Sequence, residues 1–320
     1  MDRAHAWFQK GVEALRLSAP HVPSGYVCPL CYTTLGEIRI YQPKALDIPQ
    51  ILTVEHAPTK RFGGKPVVLT CRDCNCGKGR NGGGGSGVDA ELSKLLDQRD
   101  FFQRTERPMQ TGIVKFGDSG ATRVLFGWEN NRLLLTDFVK FNHPREAASL
   151  QEELDRTARE RIEGWSIQLS FEENAYRRRG PEVSMLRSAY LIAFAAFGYR
   201  YICREALEPI REQIRRPYEE VVAAFCFVDK PPHDFSFRRI VVIRRPKWYQ
   251  SVLVQMGPFR IYLPIWDDAS ILYEKLEEVR TVKPCQSIKV SAREFLWPSG
   301  PEFLFDYKPR LFAETYEWLR

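Results

Sequence analysis

The chain has 320 residues, 44% of them hydrophobic and 12% aromatic, which supplies core material for two or three domains and excludes a largely disordered polypeptide. Its net charge of +7, with 27% of residues charged, permits a polyanionic partner such as nucleic acid without requiring one. No run of about 18 apolar residues could span a bilayer, and no apolar block of signal-peptide type opens the chain, so a cytoplasmic protein with reduced cysteines is expected.

Residues 3–18 read as an amphipathic helix, with Ala6, Phe8, Val12 and Leu15 at helical spacing. "YVCPLCYTT" follows, with a Cys-x-x-Cys in a turn-like setting. Short strands are expected at "EIRIYQ", "QILTVEH" and "KPVVLTC", the last introduced by Gly63-Gly64. "NGGGGSG", residues 81–87, reads as a flexible linker. Such a string also arises by engineered insertion, and native residues would then be missing from it. A helix is expected from Val88, with Leu92, Leu95 and Leu96 on one side. Residues 111–139 switch to a β meander with Gly, Asp and Asn turns. A long charged helix from 143, a strand at "WSIQLSF" and a buried helix at "EVSMLRSAYLIAFAAFGYRYI" come next. "EALEPIREQIRR" reads as a polar surface helix. From 221 short strands dominate, with one more helix near 268–280. These shifts divide the chain into an N-terminal segment, 1–105, a β meander, 106–142, and a larger α+β domain, 143–320.

Cys28-Pro-Leu-Cys31 and Cys71-Arg-Asp-Cys74 are two Cys-x-x-Cys knuckles. Each can offer two thiolates to one ion, and together they complete a closed, structural zinc site with no coordination position left for water. Cys76, Cys203, Cys226 and Cys285 form no such pairs. Between the knuckles a strand ends on Glu55-His56, a glycine pair turns the chain, a second strand runs into Cys71, and Asn75 follows Cys74.

That order, carried by "LTVEHAP", "GGKPVVLTCRDCN" and the later "VDAEL", resembles the ββα-metal core of HNH endonucleases over about residues 25–98. The resemblance implies an α+β protein in which a zinc-stabilised ββα-metal module precedes a larger mixed α+β domain. It also implies metal-assisted hydrolysis of a phosphodiester, most naturally in DNA, with a role such as phage defence. His56 would be the general base. Glu55 and Asn75 would ligate a catalytic magnesium or manganese ion, with Asp89 a further candidate ligand or support for the helix. The asparagine that the family carries on the second strand is absent, with Pro66-Val67 standing about there.

Residues 235–266 carry Arg238, Arg239, Arg244, Arg245, Lys247 and Arg260 among aromatics and no acid. Such a pattern suits a phosphate backbone, and equally suits strand edges protected by arginine over an aromatic core. Residues 101–320 contain no motif with its own chemistry, which leaves recognition, a small regulatory ligand or a protein partner as their role. The rival to a nuclease is a non-catalytic zinc ribbon that binds nucleic acid or a protein partner, in which Glu55 and His56 only support the loop.

Overall fold

The computed structural model describes residues 3–32, 40–42, 48–76, 85–102, 109–116, 121–130, 132–137, parts of 142–159, 167–171, 179–229, 236–265, 269–281 and 288–317. The chain is a mixed α+β protein with small antiparallel sheets, and it divides into two compact units. One unit joins Met1–Asp89 to Arg179–Arg320, and the other is Ala90–Arg178. This division differs from the three consecutive segments expected, because the N-terminal segment and the C-terminal one share a core.

In the first unit, α1 (Arg3–Ser18) buries Ala4, Phe8, Gly11, Ala14 and Leu15, while Ala6 faces out. Two short strands, β1 (Tyr26–Val27) and β2 (Ile40–Tyr41), pair antiparallel. A helical turn, α2 (Ile48–Ile51), leads into β3 (Leu52–Ala57), which forms a hairpin with β4 (Lys65–Cys71). The turn between them is a single 3-10 turn, Lys60–Phe62. Gly63 closes it at φ 65°, in the left-handed region, and a Cβ on Gly64 would lie 1.4 Å from the Pro58 carbonyl oxygen. Both positions therefore require glycine. A short helix, α3 (Arg72–Cys76), follows β4 directly. The next helix, α4 (Gly85–Phe102), begins inside the glycine run, so residues 85–87 are helical where a linker was expected.

The second unit contains an antiparallel sheet in the order β7-β6-β5-β8, built from β5 (Gln110–Phe116), β6 (Thr122–Glu129), β7 (Arg132–Asp137) and β8 (Ile167–Phe171). Val114, Val124 and Phe126 are its buried centre. The expected meander is thus joined by a fourth strand from beyond the expected boundary near 142, because β8 pairs with β5.

The chain re-enters the first unit through α5 (Arg179–Phe197), in which every residue from Gly180 to Phe197 except Glu182 is buried. A helix buried on nearly every side belongs in the middle of a fold. Accordingly, α5 contacts both the β3–β4 hairpin and strands β11 (Ser251–Met256) and β12 (Phe259–Pro264). It ends at Gly198, φ 88°, where a side chain would collide with the Asp306 carboxylate. The long helix expected here is therefore broken, and α6 (Tyr199–Ile202) starts afresh. Next comes α7 (Glu208–Arg215), which buries Ile210, Arg211, Gln213 and Ile214, more than a surface helix would. Strands β9 (Cys226–Val228), β10 (Arg238–Arg245) and β13 (Ser291–Phe295) complete a five-stranded antiparallel sheet in the order β13-β10-β11-β12-β9. Three helices, α8 (Ser270–Thr281), α9 (Leu304–Tyr307) and α10 (Pro309–Glu317), complete the described chain. Among the described residues no helix is long and apolar enough to cross a membrane. Cys285 lies outside the described residues, as does the side chain of Cys76.

Candidate functional site

The two knuckles converge. Cys28 follows β1, Cys31 sits one turn later, Cys71 ends β4 and Cys74 lies on α3. Their four sulfur atoms all lie within 4.8 Å of one another. Zinc–sulfur bonds of about 2.3 Å in a tetrahedron set sulfur–sulfur edges of about 3.8 Å. Cys31 Sγ and Cys71 Sγ stand 3.8 Å apart, so the donors present fit a structural zinc ion. The Cys71 backbone N–H donates to Cys28 Sγ at 3.3 Å, the kind of outer contact that steadies a thiolate. Hydrogen bonds from Cys28, Cys31 and Cys74 pull the Cys71 thiol down, while burial pushes Cys28 up. A bound dication would supply the charge that lets all four ionise.

Tyrosines that the sequence reading did not single out fasten the first knuckle. The Tyr190 hydroxyl donates to the Pro29 carbonyl at 3.0 Å, and the Tyr199 hydroxyl donates to the Val27 carbonyl at 2.8 Å. The Tyr26 hydroxyl donates to the Leu69 carbonyl at 2.7 Å, linking β1 to β4. The signal was present: a buried tyrosine needs a partner for its O–H, and "SAYLIAFAAFGYRY" holds three.

The β3–β4 ladder shifts register between Glu55 and His56. Glu55 lies opposite Val68 and His56 opposite Pro66, leaving Val67 as an extra residue on β4. Pro66 has no N–H to give to the ladder, which is why the irregularity falls there. A bulge of this kind bends the strand and re-aims its side chains. Glu55 is 5% exposed, whereas His56 is half-buried. Partial burial, then the Lys60 ammonium, lower the proton affinity of His56 against the pull of Glu55, and Arg3 adds to the lowering. The imidazole is thereby held neutral at neutral pH, the form that can accept a proton.

The expected acids are brought together, but around an arginine. Arg187 Nη1 donates to Glu55 Oε1 at 3.2 Å and Nη2 to Oε2 at 2.9 Å. Thr70 Oγ1 also donates to Glu55 Oε2, at 3.3 Å. Asp89 Oδ2 stands 3.8 Å from Arg187 Nη1, and its Oδ1 accepts from Ser184 Oγ. Burial pushes the Asp89 carboxyl up to about 6, against the pull of Arg187 and Ser184. Asn75 Nδ2 donates to Thr53 Oγ1 at 2.9 Å. A catalytic magnesium or manganese ion is held by at least one or two carboxylates free to coordinate it, beside waters and substrate phosphate oxygens. Glu55 is not free here, since both oxygens already accept from a guanidinium that supplies the positive charge. Glu55, Asn75 and Asp89 therefore do not fit a catalytic divalent ion in this arrangement, contrary to what the resemblance implied.

The basic residues of the five-stranded sheet are dispersed in role. Arg238 Nη2 donates to the Phe62 carbonyl at 2.6 Å, and its guanidinium lies 5.8 Å from the Trp297 ring. Arg239 Nε donates to Gln255 Oε1 at 2.9 Å, and Arg260 pairs with Asp229 at 2.7 Å. Arg244 is half-buried, and Arg245 and Lys247 are exposed. Arg238, Arg239 and Arg260 are thus engaged in internal contacts. No protein-family model, curated protein or solved structure matches the chain.

Proposed function

We propose that the chain is a zinc-clamped, HNH-type endonuclease that cuts phosphodiester bonds in DNA, with His56 as general base. One observation carries this reading: a half-exposed, neutral imidazole at the bulge of a hairpin whose other end runs into the four-thiol cluster. In the step it supports, His56 takes a proton from water as the water oxygen bonds to phosphorus, and the bond to the sugar oxygen breaks with its electron pair going to that oxygen, which takes a proton from solvent. No step is routed through a second metal, because the donor set does not fit one.

A second reading is favoured by a separate observation. The Glu55–Arg187 pair occupies the carboxylate that a cutting enzyme of this type would use, which suits a zinc ribbon that binds nucleic acid or a protein without cleaving. A plasmid-nicking assay separates the two, run with magnesium, with manganese and with neither. Nicking by the wild type that disappears in His56→Ala, at unchanged zinc content and thermal midpoint, supports the nuclease. Nicking that is absent under all conditions, or equal in both proteins, rejects it.

A further inference from the structure

The hairpin from Leu52 to Cys71 is described throughout and carries one acid and three lysine or arginine cations. The acid, Glu55, is buried against Arg187, while Lys60, Arg61 and Lys65 are all exposed. The one negative charge is therefore cancelled inside the protein, and the surface around His56 is left positive. The fold fixes where those cations stand. The ladder puts Lys65 opposite Ala57, next to His56, and the 3-10 turn Lys60–Phe62 closes the hairpin just beyond. That turn is held from the five-stranded sheet, since Arg238 donates to the Phe62 carbonyl.

A fourth cation comes from outside the hairpin. Helix α1 contacts both β3 and β4, and its first residue, Arg3, is exposed with its guanidinium 5.9 Å from the Trp7 ring. Lys60 and Arg3 both depress the proton affinity of His56, so both lie within electrostatic reach of the ring. Among the described residues no carboxylate pairs with Arg3, Lys60 or Lys65.

We infer that Arg3, Lys60 and Lys65 form a cradle for a nucleic-acid phosphate backbone across His56, holding the strand with the chain's own cations and without a divalent ion. For its substrate class this rests on the function proposed above. Lysine and arginine contacts to phosphates set register and orientation and are read in the salt dependence of binding.

The test is fluorescence anisotropy of a labelled DNA duplex with the full zinc-loaded chain, over a series of salt concentrations, with no added divalent ion. Lys60→Ala combined with Lys65→Ala should weaken binding about tenfold or more and flatten the log–log salt slope by about two, and Arg3→Ala by about one. Both positions are exposed, and unchanged zinc content and thermal midpoint show that the fold is intact. If the double variant keeps the wild-type affinity and slope, or the wild type does not bind, the cradle is wrong. Loss confined to Arg245→Ala with Lys247→Ala would move the site to the five-stranded sheet and overturn it equally. Binding without nicking rejects the nuclease and leaves the cradle. Nicking with an unaffected double variant does the reverse.

Discussion

Arg187 places a cation in the middle of an almost wholly buried helix, and the carboxylates of Glu55 and Asp89 make that tolerable. Its side chain is 3% exposed and that of Glu55 is 6% exposed, so both charges have left water. Removing one partner strands the other, which typically costs about 3–5 kcal/mol, whereas replacing both by apolar groups of similar size is often neutral. Arg187→Met should therefore destabilise the protein by about that amount in urea titrations, and Arg187→Met with Glu55→Leu should recover most of it. A single variant as stable as wild type would mean that the pair is not buried as described. Gly64 makes a sharper demand. A methyl there meets the Pro58 carbonyl oxygen at 1.4 Å, so Gly64→Ala must open the turn, with an expected loss of about 2–4 kcal/mol in thermal or denaturant unfolding. The sequence displayed Glu55, His56 and the glycine pair side by side, because hairpin chemistry is local. It did not display that the partner of Glu55 stands 132 residues further on. A lone arginine inside "SMLRSAYLIAF" was the available hint, since a buried cation must find an acid.

Among the elements, the four-cysteine cluster, which can hold a zinc ion, and α5 act on the same loop from two sides. The cluster ties the turn after β1 to the end of β4, and Tyr190 and Tyr199 tie that turn to α5 and α6. The two attachments should fail differently. Tyr199→Phe leaves the Val27 carbonyl without its donor and should cost about 1–3 kcal/mol in denaturant unfolding while zinc content stays unchanged. Cys28→Ser should lose the ion, and with it much of the roughly 5–15 kcal/mol that holds a domain folded. Zinc analysis beside a thermal scan distinguishes the two outcomes. Elements whose ends are marked by local chemistry were legible: α1, β4 and β11 span the residues their patterns suggested. Those decided by tertiary contact were not. The break at Gly198 lies in an unbroken apolar run and is set by Asp306, and α7 is drawn into the core despite a polar sequence.

At the scale of the whole chain, the ends of the sequence meet in one unit, which no local pattern announces. The Tyr307 hydroxyl donates to the Lys10 carbonyl at 3.1 Å. Asp306 accepts the backbone N–H groups of Tyr199 and Arg200 at 2.7 and 2.8 Å, so the C-terminal segment caps the helix that follows the central one. Burial pushes the Asp306 carboxyl up to about 7, although both N–H bonds favour the charged form. Asp89 moves the same way, to about 6, also through burial. A carboxyl raised in the folded state binds more protons there than in the unfolded chain. Its contribution is complete below the ordinary value of 3.8 and is lost as pH climbs through the folded value. For Asp306 the window is therefore about pH 4 to 7, and the full swing is roughly 3–5 kcal/mol. Zinc ligation responds in the opposite sense, because thiols must lose protons to bind, so the pH profile of the wild type alone mixes the two. Asp306→Asn keeps an acceptor oxygen, removes the titration and leaves the zinc site untouched. The difference in unfolding free energy between wild type and variant, measured at pH 5.5 and at pH 8 in excess zinc, cancels the metal contribution. It should favour the wild type more at pH 5.5 by about 2 kcal/mol or more, and a difference that does not change with pH would show that Asp306 stays ionised in its cap throughout.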